Sequence, residues 1–138
     1  DGAEHVLPEL PSDFFDLILT SPPYFDMEHY GETPDEAVGQ IRNKVGSVEE
    51  YVSDFLTPVL TECARARRPG GLLALNLDDN LRTKTFVCRP ALKILNALDV
   101  LELVGTAGLR KGTGFGAALQ TKTKTKAEPI YLYRRKKS

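Results

Sequence analysis

A chain of 138 residues, 41% hydrophobic and 27% charged, has room for one ordinary globular core and one domain at most. No apolar run reaches the ~20 residues of a membrane-crossing helix, and two cysteines are too few for a disulfide framework. The formal net charge of −1 conceals a gradient: residues 1–62 hold fourteen acids against two bases, whereas residues 110–138 hold nine bases against Glu128 alone. A basic end of this kind fits contact with a polyanion, and equally a solvated tail.

The opening residues are acidic and punctuated by Pro8, unlike a secretory leader, which points to an intracellular, cytoplasmic or DNA-associated protein. The sequence opens without Met and reads as a piece of something longer. Residues 3–10 predict a short helix or turn packing Val6 and Leu10. Residues 14–20, FFDLILT, form an apolar run too short for a helix and bounded by turn residues, which predicts a buried strand. Residues 26–46 are polar, carry Gly31, Pro34, Gly39 and Gly46, and predict a long loop with room for a helical turn at 34–38.

Ser47 and Glu50 have the spacing of a capping box. Val48, Tyr51, Val52, Phe55, Val59, Leu60 and Cys63 follow at helical spacing as one apolar stripe, and Pro69-Gly70-Gly71 ends the helix beyond Arg67. LLALNL at 72–77 predicts a second buried strand. Residues 85–98 predict a second amphipathic helix, started or interrupted by Pro90. Residues 100–109 and 129–136 predict two further strands. Cys63 and Cys88 both fall in apolar helical contexts and read as buried, reduced thiols.

This order predicts an α/β chain, a partial doubly wound, Rossmann-like sheet whose parallel strands are joined by crossovers. The last two strands have no helix between them and form an antiparallel pair at one edge. Ligands of such sheets lie outside the carboxyl ends of the strands. Thr20-Ser21-Pro22-Pro23-Tyr24 stands at such an end. Each proline fixes its own φ and offers a carbonyl but no N–H, so the turn is a rigid set of acceptors with an aromatic ring beside it. That combination suits a base turned out of a duplex: acceptors for its exocyclic amine, a π face for its ring.

TSPPY resembles the catalytic motif of the DNA amino-methyltransferases, in which Asp, Asn or Ser precedes Pro-Pro and an aromatic. The resemblance continues through Tyr30-Gly31, Gly39-Gln40-Ile41, Glu50-Tyr51-Val52, Arg65, Arg68-Pro69-Gly70-Gly71 and Asn76-Leu77-Asp78-Asp79. The lead-in DGAEHVLPELPSDFFDLIL and the closing EPIYLYRRKK are similar to that family as well. The resemblance implies S-adenosyl-L-methionine-dependent methylation of a base amine in DNA, cytosine favoured over adenine. It implies that Ser21 and the Pro22 carbonyl accept from the target amine, that Pro23 stiffens the turn, and that Tyr24 stacks on the base. Asp1, Thr20 and Ser21 would lie toward the cofactor and Tyr30 toward nucleic acid; by charge, Lys111 and, in the alternating Thr-Lys run, Lys122, Lys124 and Lys126 read as phosphate contacts or as a solvated hairpin tip.

The family's Phe-x-Gly-x-Gly cofactor turn does not occur in this sequence; GTGFGA at 112–117 follows Leu109-Arg110-Lys111 and opens no helix. Residues 1–138 therefore read as the target-base half of a methyltransferase catalytic domain, without a cofactor turn or a target-recognition domain. DNA is the expected partner, with a second chain or a further segment supplying the cofactor half. NLDDN at 76–80 reads as pocket-lining or as a polar turn, and His5 and His29 have no metal-ligand spacing. Two other readings stay open: a non-catalytic nucleic-acid-binding or assembly module that keeps the fold, and a methyltransferase acting on RNA or on protein glutamine.

Overall fold

The structure, a computed structural model, describes residues 2–23, 25, 46–110 and 127–137. Its first elements are α1 (Ala3–Val6), a 3-10 turn at Leu7–Glu9 and β1 (Phe15–Thr20). A continuous helical stretch follows: α2 (Val48–Glu50), a π-helical segment (Tyr51–Leu56) and α3 (Thr57–Ala66). Then come β2 (Arg67–Asn76), α4 (Cys88–Ala97), β3 (Leu101–Arg110) and β4 (Ala127–Arg135). Of the predicted loop at 26–46, residues 26–45 with the helical turn at 34–38 lie outside the described residues, as does the glycine cluster at 112–117.

The four strands form one sheet in the order β1-β2-β4-β3. β1 and β2 are parallel, and β4 runs antiparallel to both β2 and β3. β1, β2 and β3 thus point one way, with the reversed β4 between β2 and β3. The mixed α/β architecture and the antiparallel β3–β4 edge pair match the sequence expectation.

The Ser47 cap forms as the spacing predicts, with the return bond from Glu50 made one residue earlier, at Gly46. Ser47 Oγ accepts from the Glu50 amide at 3.1 Å, and Glu50 Oε2 accepts from the Gly46 amide at 2.6 Å. The apolar stripe lands on the sheet. Tyr51, Phe55, Leu56, Val59, Leu60 and Cys63 are buried against Leu73, Leu75, Leu77 and Tyr133, with Ala91 and Leu95 of α4 completing the cluster. Pro58 offers a reason for the widened π turn before it. It has no N–H for the Asp54 carbonyl and its ring crowds that oxygen, while the Thr57 hydroxyl bonds the Val52 carbonyl at 2.7 Å.

Three expectations need correction. β1 is not buried on both faces: Leu17 and Leu19 are 57% and 68% exposed, because α3 and α4 cover only the side to which Ile18 points. Val6 is 43% exposed, and it is Leu7, one residue on, that packs against the core. β2 begins at Arg67, before the PGG turn instead of after it. The step from Arg67 to Leu72 opposes only Phe15 to Leu17, so Pro69-Gly70-Gly71 is a bulge within the pairing. Gly70 has φ +82°, and a Cβ on Gly71 would stand 2.8 Å from Arg67 Cγ.

Arg65 ties the amino-terminal segment to α3. Its guanidinium donates to Ser12 Oγ at 2.7 Å, to the Leu7 and Leu10 carbonyls at 3.0 and 2.9 Å, and to Glu62 at 2.6 Å. The Asp13 and Phe14 amides bond the carbonyls of Arg65 and Ala66, so β1 is aimed by the end of the helix that precedes β2. Both cysteines are free and buried, as their contexts predict.

Candidate active site

The carboxyl end of β1 delivers Thr20 into Ser21-Pro22-Pro23. Ser21 is exposed, Pro22 is buried and Pro23 is half-buried. The buried ring anchors the turn and the serine is left facing outward. The Pro23 carbonyl accepts a 2.7 Å hydrogen bond from the Tyr51 hydroxyl. Tyr51 itself is fully buried, stacked on Phe55 at 5.5 Å between ring centroids and tilted against Phe25 at 5.8 Å. The sequence shows Tyr51 only as a member of the apolar stripe. The signal that marks it is chemical: a buried tyrosine hydroxyl needs a partner, and here it is the Pro23 carbonyl.

Beside β1, the carboxyl end of β2 passes into Leu77-Asp78-Asp79-Asn80. Asn76 is 8% exposed, and its Nδ2 donates to the Pro129 carbonyl at 3.1 Å, tying this end to the start of β4. Asp79 lines a cavity beside α4 with Cys88, Leu92 and Asn96, and it also has a structural task. Its Oδ1 accepts from the Val87 and Cys88 amides at 2.7 and 2.8 Å, capping α4 from across the loop. That cap explains why the helix starts at Cys88 and not at residue 85: Thr85 is spent on a two-bond bridge with Asn80, both bonds 2.9 Å. Pro90 then sits in the first turn, where its missing N–H costs nothing.

Burial pushes the Cys88 thiol up to about 12, so it stays protonated and inert while its Sγ donates to the Leu77 carbonyl. Burial, with Cys88 alongside, also pushes the Tyr131 hydroxyl up to about 12. Among the described residues no cluster of three or more His, Cys, Asp or Glu is placed to hold a metal. Asp79→Ala should lower stability by about 1 kcal/mol through the lost cap, whereas Asp79→Asn, which keeps an acceptor, should cost well under half of that. Urea denaturation of the two variants checks this, and equal losses would contradict the cap.

The structure therefore brings Thr20, Ser21, Pro22 and Pro23 together at one strand end, next to the β2 end. Asp1, Tyr24, Tyr30, Lys111, Lys122, Lys124 and Lys126 lie outside the described residues. β1 leads into Ser21-Pro22-Pro23 and β2 into Leu77-Asp78-Asp79-Asn80, so among the described residues neither end passes into a glycine turn of the kind that cradles a nucleotide cofactor.

Solved structures share this fold. A protein of Thermus thermophilus, described as a DNA modification methylase, aligns with a TM-score of 0.63 at 23% identity, over 100% of this chain and 52% of its own. Its complex with S-adenosyl-L-methionine aligns with a TM-score of 0.60 at 24% identity, over 99% and 53%. The PvuII cytosine-N4-specific DNA methyltransferase aligns with a TM-score of 0.58 at 10% identity, over 99% and 48%. At these identities the likeness is one of fold, and the chain spans about half the length of the proteins it matches. No curated protein matches the sequence. The sequence pattern of the DNA methylase family matches residues 15–138, from the first residue of β1 through the Ser-Pro-Pro turn to the last residue, and on that match the chain belongs to the DNA methylase family.

Proposed function

We propose that this chain is the target-amine half of an S-adenosyl-L-methionine-dependent DNA methyltransferase. The observation that carries the reading is the Ser-Pro-Pro turn at the carboxyl end of β1, with Ser21 exposed on a backbone anchored from behind. Ser21 Oγ and the Pro22 carbonyl accept from the exocyclic amine of a base extruded from the duplex, cytosine in preference to adenine. Tyr24 supplies the stacking face. The amine's lone pair is conjugated to the ring and is a poor nucleophile. Acceptors that hold both its hydrogens favour a more tetrahedral nitrogen and aim that lone pair outward. The cofactor supplies an activated methyl group, so positioning does more than base strength.

The described residues form no cofactor cradle, so the cofactor's site falls to a complementary half, as an adjoining segment or a second chain. The exposed leucines Leu17 and Leu19 on β1 support such a half: they are apolar surface on the strand that carries the site. Lys111, Lys122, Lys124 and Lys126 supply phosphate contacts, with Tyr30 beside the DNA. Thr20 and Asp1 are assigned to the cofactor side of the site.

Calorimetry with S-adenosyl-L-methionine tests this division. The isolated chain should give no saturable heat below about 1 mM, and adding the complementary half should bring the affinity into the micromolar range typical of enzyme ligands. A micromolar constant for the chain alone would contradict the assignment of halves.

A further inference from the structure

Neither proline of the Pro-Pro turn has an N–H, so the turn cannot be held by its own donors; only its carbonyls can be gripped. With both φ angles locked by the rings, the orientation of the turn reduces to the two ψ angles. The Pro23 carbonyl fixes one of them, because it is held inward by the Tyr51 hydroxyl at 2.7 Å. From these facts we infer that Tyr51 is a positioning residue for methyl transfer, setting the direction in which Ser21 and the Pro22 carbonyl face. This rests on the reading of Ser21 and Pro22 as acceptors of the target amine.

Tyr51 is built for that task. It is 0% exposed, and Phe55 and Phe25 clamp its ring. Its place along the helix is fixed by the Ser47 cap four residues earlier. It opens the π-helical segment, the widened turn whose first and fifth residues stack their rings. The hydroxyl therefore reaches Pro23 from a rigid base, and the strand end and the helix start lock each other. Consecutive carbonyls of an extended segment point in different directions, so holding the Pro23 oxygen inward leaves its neighbour free to face a ligand.

The test compares the wild-type assembly, chain plus complementary half, with Tyr51→Phe and with Leu95→Ala, which opens the core at α4 but leaves Tyr51, its ring neighbours and its hydroxyl in place. Four quantities are read: melting temperature, DNA affinity, single-turnover methylation rate, and amide hydrogen exchange at Ser21 and Phe25. Tyr51→Phe should lower the rate roughly tenfold, since small misplacements of a reacting group can cost up to ~10²-fold. DNA affinity should stay within about twofold, because phosphate contacts dominate it. Exchange at Phe25 should quicken about fivefold or more, on the order of a lost hydrogen bond. Leu95→Ala should leave the rate and the Phe25 exchange within about twofold even where it lowers the melting temperature as much. A rate loss that merely follows the melting temperature in both variants overturns the inference, as does quickened exchange with an unchanged rate. If the wild-type assembly methylates no DNA, the proposed function fails, and the exchange comparison still decides the anchor: faster exchange in Tyr51→Phe alone supports it and equal exchange overturns it.

Discussion

Ser21→Ala is expected to lower the single-turnover methylation rate of the reconstituted enzyme by about 10²-fold while leaving DNA affinity within about twofold. The loss in rate follows from removing one fixed polar partner of the charge that moves in the transition state, typically ~10²–10³ in rate. The unchanged affinity follows from the division of labour in DNA recognition, where phosphate contacts position the duplex and contribute most of the binding. Pro22→Ala keeps the carbonyl and removes the φ lock, so it should cost less, roughly tenfold, and again in rate before affinity. Single-turnover methylation beside a gel-shift titration separates the two. If both substitutions reduce rate and affinity in parallel, the motif is structural, and a nucleic-acid-binding module without turnover becomes the better account.

The second large effect concerns stability. Between pH 8 and pH 10 the folded chain should lose about 2 kcal/mol, a substantial share of the 5–15 kcal/mol of a typical domain. Burial raises the Cys63 thiol from 9.0 to about 11, and Cys63 is 2% exposed. A group whose pKa is raised by folding holds its proton longer in the folded state. Its contribution is complete below pH 9, declines as the pH rises, and is lost by about pH 11. Cys88 and Tyr131, both raised to about 12, act in the same direction. Arg67 opposes them. It is fully buried at the start of β2, where Nη1 donates to the Tyr133 carbonyl at 3.1 Å while Nε and Nη2 find no partner among the described residues. Burial lowers it from 12.5 to about 10, so its deprotonation above that pH relieves part of the loss. Urea midpoints at pH 8, 9 and 10 read the net decline, and Cys63→Ala should remove roughly half of it. A midpoint that stays flat to pH 10, or a decline identical in Cys63→Ala, would contradict this.

Much of the site was legible because it is local. Ser47 and Glu50 announce a helix start, the stripe from Val48 to Cys63 announces its buried face, and an apolar run that stops on two prolines announces a strand end with a rigid turn. Each of these signals needs only neighbours in sequence. What was missed is long-range. The bond from Tyr51 to Pro23 spans 28 residues, and nothing in the helical spacing distinguishes a core tyrosine from one that holds a turn. The cap from Asp79 to Val87 and Cys88 jumps a loop, so the sequence placed the start of α4 three residues early. Leu17 and Leu19 look like core in the sequence, because a strand's hydrophobicity records that a face is made for burial and not which segment of chain covers it. The bulge at Pro69-Gly70-Gly71 was read as a break, since the same residues serve either purpose until the partner strand is known.

Nucleoside mass spectrometry of DNA taken from cells that express this chain with its complementary half tests the central claim most directly. The account predicts a base methylated on its exocyclic amine, N4-methylcytosine ahead of N6-methyladenine, at a level that falls sharply in Ser21→Ala. Unmodified DNA, or the same level of the methylated base in the wild type and in Ser21→Ala, would contradict it.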